Sequence, residues 1–172
     1  MAAIRQMRCV TDDDLAAASL FMLEQRHELH PSITVMDTLT LLCDYMTHGH
    51  LMMSVNDRQA VIGISAYFLG TREKQFEDKE VVFIDVGVFS KAYRSGRQFY
   101  LGFSFMVDQI ISEHPDVKEL RLAALTDNRY LLRLYSKLAA PLHERESALG
   151  PETVFGAPIN EISTTLKRYN QL

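Results

Sequence analysis

Much that would narrow the reading of this 172-residue sequence is scarce or missing. It holds two cysteines, Cys9 and Cys43, with no CxxC spacing, so neither a disulfide frame nor a cysteine-based metal site is encoded. Both are expected as core thiols in a reducing compartment. No apolar run approaches the roughly 20 residues that a membrane-spanning helix needs. The segment from Met1 to Arg5 has no basic stretch leading into a long apolar one, so no secretory leader is expected and cytoplasm is the expected location. Positive charge is not in excess either, since 18 Lys and Arg stand against 22 Asp and Glu. Without a basic face the chain cannot gain affinity for phosphate backbones by releasing counterions, so neither nucleic acid nor a membrane is an expected partner. Repeats, low-complexity tracts and Pro/Gly/Ser linkers are also absent, and at this length one domain over 1–172 is the expectation.

What is there alternates between strand and helix signals. Ile4 to Val10 reads as a strand, and Thr11 followed by Asp12, Asp13 and Asp14 reads as a capped helix start with acids in its first turn, the helix running to about Leu29 before Pro31. A second helix is expected from Met36 to Met46, with Leu39, Leu42, Cys43 and Met46 on its inner side. His50 to Val55 and Ala60 to Leu69, joined by Asn56-Asp57-Arg58-Gln59, read as a hairpin, and Thr71 to Lys79 as an exposed charged connection. Val81 to Phe89 has the continuous apolar character of a strand buried on both faces. Phe99, Phe103, Met106 and Ile110 then mark a helix, Val117 to Leu125 a strand, Asn128 to Leu138 a helix, and about two strands close the chain. The order β-α-α-β-β-β-α-β-α-β-β points to a layered α/β fold.

Chemistry concentrates where the buried strand turns into a helix. Lys91-Ala92-Tyr93-Arg94-Ser95-Gly96-Arg97 places three cations and a glycine before a helix whose first N–H groups have no internal partner. Such a junction can seat a phosphate, with Gly96 allowing close approach and Arg94 and Arg97 neutralising charge. The plainer alternative is a solvated basic helix start.

Two separated segments bear on that choice. Val86-Gly87-Val88 with Tyr93-Arg94-Ser95-Gly96-Arg97 resembles the acyl-coenzyme A pyrophosphate loop of the Gcn5-related N-acetyltransferase (GNAT) superfamily. Asn128 to Leu138, with Asn128 seven residues before Tyr135, resembles that family's second motif, and the order and separation of the two also match. One departure stands out: the family pattern Arg-x-x-Gly-x-Gly/Ala meets Arg94-Ser95-Gly96-Arg97-Gln98-Phe99 here, so a glycine comes early and Phe99 holds the last small position.

The resemblance implies an α/β fold with a mixed, mostly antiparallel central sheet, splayed parallel strands and helices on both faces. It implies acetyl-coenzyme A as co-substrate, without a metal, and a primary amine, small molecule or protein, as acceptor, with a tendency to homodimerise. Carried over residue by residue, the backbone at Val86 and Val88 would pair with the pantetheine arm, and the N–H groups of Ser95, Gly96, Arg97 and Gln98, with Arg94, would hold the pyrophosphate. Gly87 would sit at a bulge, Asn128 would contact the cofactor, and Tyr135 would protonate the departing thiolate. The attacking amine must lose a proton, and two acids compete as its base: Glu80, which opens the buried strand, and Asp85 inside it. Glu24, Glu28, Asp44 and Glu73 would favour a cationic acceptor. The alternative is a chain that keeps the fold as a cofactor-binding or interaction protein with weak or lost catalysis.

Overall fold

The computed structural model describes residues 4–94 and 96–171, which form seven β-strands and six α-helices. Chain contacts separate two compact units, with boundaries at Phe68/Leu69, Asp85/Val86 and Gly102/Phe103.

The first unit begins with β1 (Arg5–Arg8), and Thr11 then caps α1 (Asp12–Glu24) in a reciprocal box with Asp14, as its sequence signal predicts. The helix does not run on to Leu29. It stops at Gln25, where Arg26 caps the carbonyl of Leu23 at 2.7 Å, and a separate turn, α2 (Arg26–Leu29), follows. A second capping box, Thr34 with Asp37, opens α3 (Val35–His48). The buried face of α3 is Thr38, Leu42 and Tyr45, whereas Leu39, Cys43 and Met46 are exposed. Cys43 is therefore not a core thiol, while buried Cys9 is, and burial pushes the Cys9 thiol up to about 12, with Asp14 adding to the rise.

β2 (Gly49–Val55) lies antiparallel between β1 and β3 (Val61–Leu69). The loop joining β2 to β3 is organised by Asn56, whose Oδ1 accepts from the N–H groups of Arg58 and Ala60, each at 3.0 Å. Met52 and Met53 are core side chains. This unit also holds the second half of β4 (Val81–Phe89), where the N–H of Ser90 donates to the Ile62 carbonyl at 2.9 Å. Gly63 is required there, because a Cβ would come within 2.6 Å of the Phe89 ring.

In the second unit the first half of β4 runs parallel to β5 (Glu119–Leu125), and the parallel register covers Val81–Ile84 against Glu119–Leu122. β5 pairs antiparallel with β7 (Gly150–Pro158), which pairs antiparallel with β6 (Ala140–Ser147) at the sheet edge. Strands are thus mostly antiparallel with one parallel pair, the α/β class expected from the sequence. The connection is exposed along most of its length, as expected, but Thr71 and Asp78 are buried and clamp it. Buried Asp78 accepts from the Thr71 N–H at 2.7 Å and the Thr71 hydroxyl at 2.8 Å, around a 3₁₀ turn at Arg72–Lys74. Gly70, at φ +88°, lets the Phe76 backbone pass within 2.6 Å of where a Cβ would stand. The chain closes on a helix that the expected order omits, α6 (Ile159–Asn170), with Ile159, Ile162, Ser163 and Leu166 buried on one side. Of the described helices, none is long and apolar enough to cross a membrane.

Candidate active site

In the first unit the head of α4 (Gly96–Glu113) is reached from β4 through a one-turn 3₁₀ helix, Lys91–Tyr93. That turn is held by Tyr93, whose hydroxyl accepts from the Asn56 side-chain amide at 3.3 Å. Gly96 is the first helical residue, with Arg97 and Gln98 in the same turn, so the early N–H groups there have no partner within the helix. Ser95, expected among the pyrophosphate contacts, lies outside the described residues.

Arg94 is fixed at two points: Nη2 donates to the Phe89 carbonyl at 3.1 Å and to Glu28 Oε2 at 2.8 Å. The other oxygen of Glu28 faces Lys91 Nζ at 3.4 Å. The Arg94 hydrogen bond, then the Lys91 contact, outweigh burial and hold the Glu28 carboxyl below its ordinary value. Nε and Nη1 of Arg94 have no hydrogen-bond partner among the described residues, and Arg97 is exposed. Gly87 is an exposed position of β4 without a positive φ, and a Cβ there would meet nothing within 4 Å. The residues present suit a diphosphate with an extended arm: cations and N–H groups at one helix head, and clear space beside a strand.

In the second unit Asn128 is the N-cap of α5 (Arg129–Ser136), its Oδ1 accepting from the Leu131 N–H at 3.1 Å. This structural duty occupies the oxygen and leaves the amide Nδ2 without a partner among the described residues. Tyr135, two turns on, packs edge-on against Phe155 with ring centroids 6.0 Å apart. Burial pushes its phenol up to about 12, and the negative charge of Asp85, then Tyr130, add to the rise. The hydroxyl therefore stays protonated across the neutral range, as a proton donor must.

The structure brings Asp85 and Tyr135 into electrostatic reach of each other, though fifty residues separate them in sequence. Arg72 Nη2 stands 3.9 Å from Asp85 Oδ2. Glu80 is not part of this group. It is exposed, precedes β4, uses its carbonyl to accept from the Lys118 N–H at 2.8 Å, and lies roughly 16 Å back from Asp85 along an extended chain. Among the acids expected to attract a cationic acceptor, Glu73 is instead bound by Arg145, which also donates to Glu152 at 3.0 Å and stacks on the Phe83 ring at 4.7 Å. The bond from Glu28 to Arg94 spans 66 residues, and no local spacing in the sequence signals it.

No known protein family profile matches the sequence, and no curated protein does. Solved structures do match. An acetyltransferase of the GNAT family from Streptococcus pneumoniae has a TM-score of 0.60 at 15% identity, covering 92% of this chain and 99% of that one. NAA60 of Arabidopsis thaliana in complex with acetyl-CoA has a TM-score of 0.66 at 13% identity, covering 92% and 99%. An aminoglycoside acetyltransferase in complex with coenzyme A and kanamycin has a TM-score of 0.66 at 15% identity, covering 95% and 99%. At such identities the likeness is one of fold: the chain has the α/β fold of these acetyltransferases, which is the fold that the resemblance in its sequence implies.

Proposed function

We propose that the protein is an N-acetyltransferase that moves an acetyl group from acetyl-coenzyme A to a primary amine by direct attack in a ternary complex. The observation that carries this reading is the junction at the head of α4, where Arg94 and Arg97 stand beside early helical N–H groups that have no partner within the helix. Similar folds hold acetyl-CoA in the Arabidopsis protein and coenzyme A in the aminoglycoside acetyltransferase, which supports the same donor here.

In this scheme Arg94, Arg97 and the N–H groups of Gly96, Arg97 and Gln98 bind the diphosphate, with Ser95 as a further N–H donor, and the Val86 and Val88 backbone pairs with the pantetheine arm. Asn128 offers its free amide N–H to the same co-substrate. Asp85, directly or through water, takes a proton from the ammonium form of the acceptor, and the freed lone pair attacks the thioester carbon. A backbone N–H near Val86 or Val88 stabilises the charge on the carbonyl oxygen. As the C–S bond breaks, the Tyr135 hydroxyl gives its proton to the thiolate, the second proton of the attacking nitrogen passes to solvent as the amide forms, and solvent reprotonates the phenolate. Asp85 is preferred to Glu80 as base because Asp85 acts on Tyr135 electrostatically while Glu80 is exposed at the far end of the strand.

A second reading, a chain that binds coenzyme A or a partner without turnover, draws on one observation: Glu28 already engages Lys91 and Arg94. Release of coenzyme A thiol from acetyl-coenzyme A over a panel of amines separates the two. Tyr135→Phe should bind coenzyme A as the wild type does and lose about 10² to 10⁴ in turnover, the usual range for a general acid. Full turnover by a folded Tyr135→Phe protein would remove Tyr135 from the mechanism, and coenzyme A binding with no amine turned over would favour the second reading.

A further inference from the structure

We infer that Glu28 is a positioning residue for the anion seat, holding Arg94 and Lys91 so that Arg94 presents its remaining N–H groups to a phosphate. The inference rests on the reading of the α4 head as the coenzyme A seat. Three observations support it. Both oxygens of Glu28 are engaged, one by Arg94 at 2.8 Å and one by Lys91 at 3.4 Å. Arg94 has a second anchor on the Phe89 carbonyl at 3.1 Å through the same Nη2, so one edge of the guanidinium is fixed while Nε and Nη1 remain unpartnered among the described residues. Finally, Lys91 has a side chain 80% exposed and Arg94 one 47% exposed, so without Glu28 both would sample many rotamers and repel each other.

A carboxylate beside an anion site also opposes the anion, and magnitudes decide which effect wins. Across a solvent-facing separation, one unit charge alters phosphate affinity by about threefold, less in salt. Ordering a long, rotamer-rich side chain only when ligand arrives weakens binding by about two- to tenfold for each one, and here there are two. Pre-ordering therefore outweighs repulsion. The planar fork of Arg94 gains most, since its directional N–H groups match phosphate oxygens only when the plane is held.

The test is calorimetric titration of wild type, Glu28→Gln and Glu28→Asp with coenzyme A, inorganic pyrophosphate and pantetheine, with melting temperature as a check on folding. Glu28→Gln should bind coenzyme A and pyrophosphate about three- to tenfold more weakly, bind pantetheine unchanged, and raise KM for acetyl-coenzyme A with kcat retained. Glu28→Asp should recover part of the loss. Equal or tighter binding of coenzyme A by Glu28→Gln would overturn the positioning role and make Glu28 a competitor for the seat, leaving the acyltransferase reading intact. An equal loss for pantetheine would overturn it too, as a general structural effect. No binding of coenzyme A by the wild type would overturn the cofactor reading and the inference together.

Discussion

Two sets of ionisable groups, one in each unit, live under different conditions. At the head of α4 they meet in the open: Lys91 and Arg94 share Glu28 with much of both cationic side chains in water. In the other unit they are withdrawn: Asp78 is 6% exposed and satisfied by a single threonine, and Tyr135 lies against Phe155 with its phenol pushed up to about 12. Open pairs answer chiefly to ionic strength, because screening reaches them, whereas withdrawn groups answer to pH, because burial and local hydrogen bonds set their protonation. That division matches the two tasks proposed for the chain, gathering a polyanion from solution and moving protons where water is scarce.

Three substitutions sharpen or break this contrast, beginning with the largest effect. Asp78→Ala strips the Thr71 N–H and hydroxyl of a buried charged acceptor and should lower unfolding free energy by about 2–4 kcal/mol, with little dependence on salt. Burial opposes the Asp78 charge, but the hydrogen bonds from Thr71 outweigh it and hold its carboxyl below the ordinary value. Its contribution is therefore present above the ordinary carboxylate range and lost as pH falls through its folded-state pKa. Denaturant titrations of both proteins should thus converge in acid, and a constant gap down to strongly acid pH would contradict the assignment.

Arg94→Ala comes next. It should weaken coenzyme A binding by about tenfold at low salt, and the gap should narrow as salt rises. A salt-independent loss would mean that this seat behaves like the withdrawn group. Asp85→Asn has the smallest effect: near-ultraviolet titration of the phenols should show the Tyr135 transition shifting down from about 12 toward its ordinary value, without reaching it, because burial is the larger cause. Since the folded-state value is raised, stability owed to the neutral phenol is complete below the ordinary tyrosine range and lost as pH climbs toward about 12. An unmoved transition would exclude Asp85 from the surroundings of Tyr135.

Much of the scaffold was legible because its signals are local. The Thr11 box, the Asn56 turn, the apolar run of β4 and the spacing of Phe103, Met106 and Ile110 each lie within a few residues. Where reading by hydrophobicity alone failed, a polar or aromatic residue had taken the inner position. On α3, Thr38 satisfies its hydroxyl on the Thr34 carbonyl at 2.9 Å and is buried, while Leu39 and Met46 face out. In α6 the i, i+3, i+7 spacing of Ile159, Ile162 and Leu166 is present in the sequence, but it directly follows the strand-like run that ends at Pro158, with no capping residue to separate the two. The candidate site was legible as residue types and not as partnerships. Glu28 with Arg94, and Asp85 with Tyr135, meet only through tertiary folding, and nothing in the neighbourhood of either sequence position announces the other.

The strand at the sheet edge carries a consequence of a different kind. β6 has Ala140 to Glu144 exposed in succession, including Leu142, and such an edge invites a second chain to extend the sheet. Pro141 offers no N–H, and the register of β6 against β7 shifts between Pro141 and His143, so the outer edge is neither straight nor fully equipped with donors. Such an edge is a poor template for a further strand, and Pro141 is the residue that blunts it.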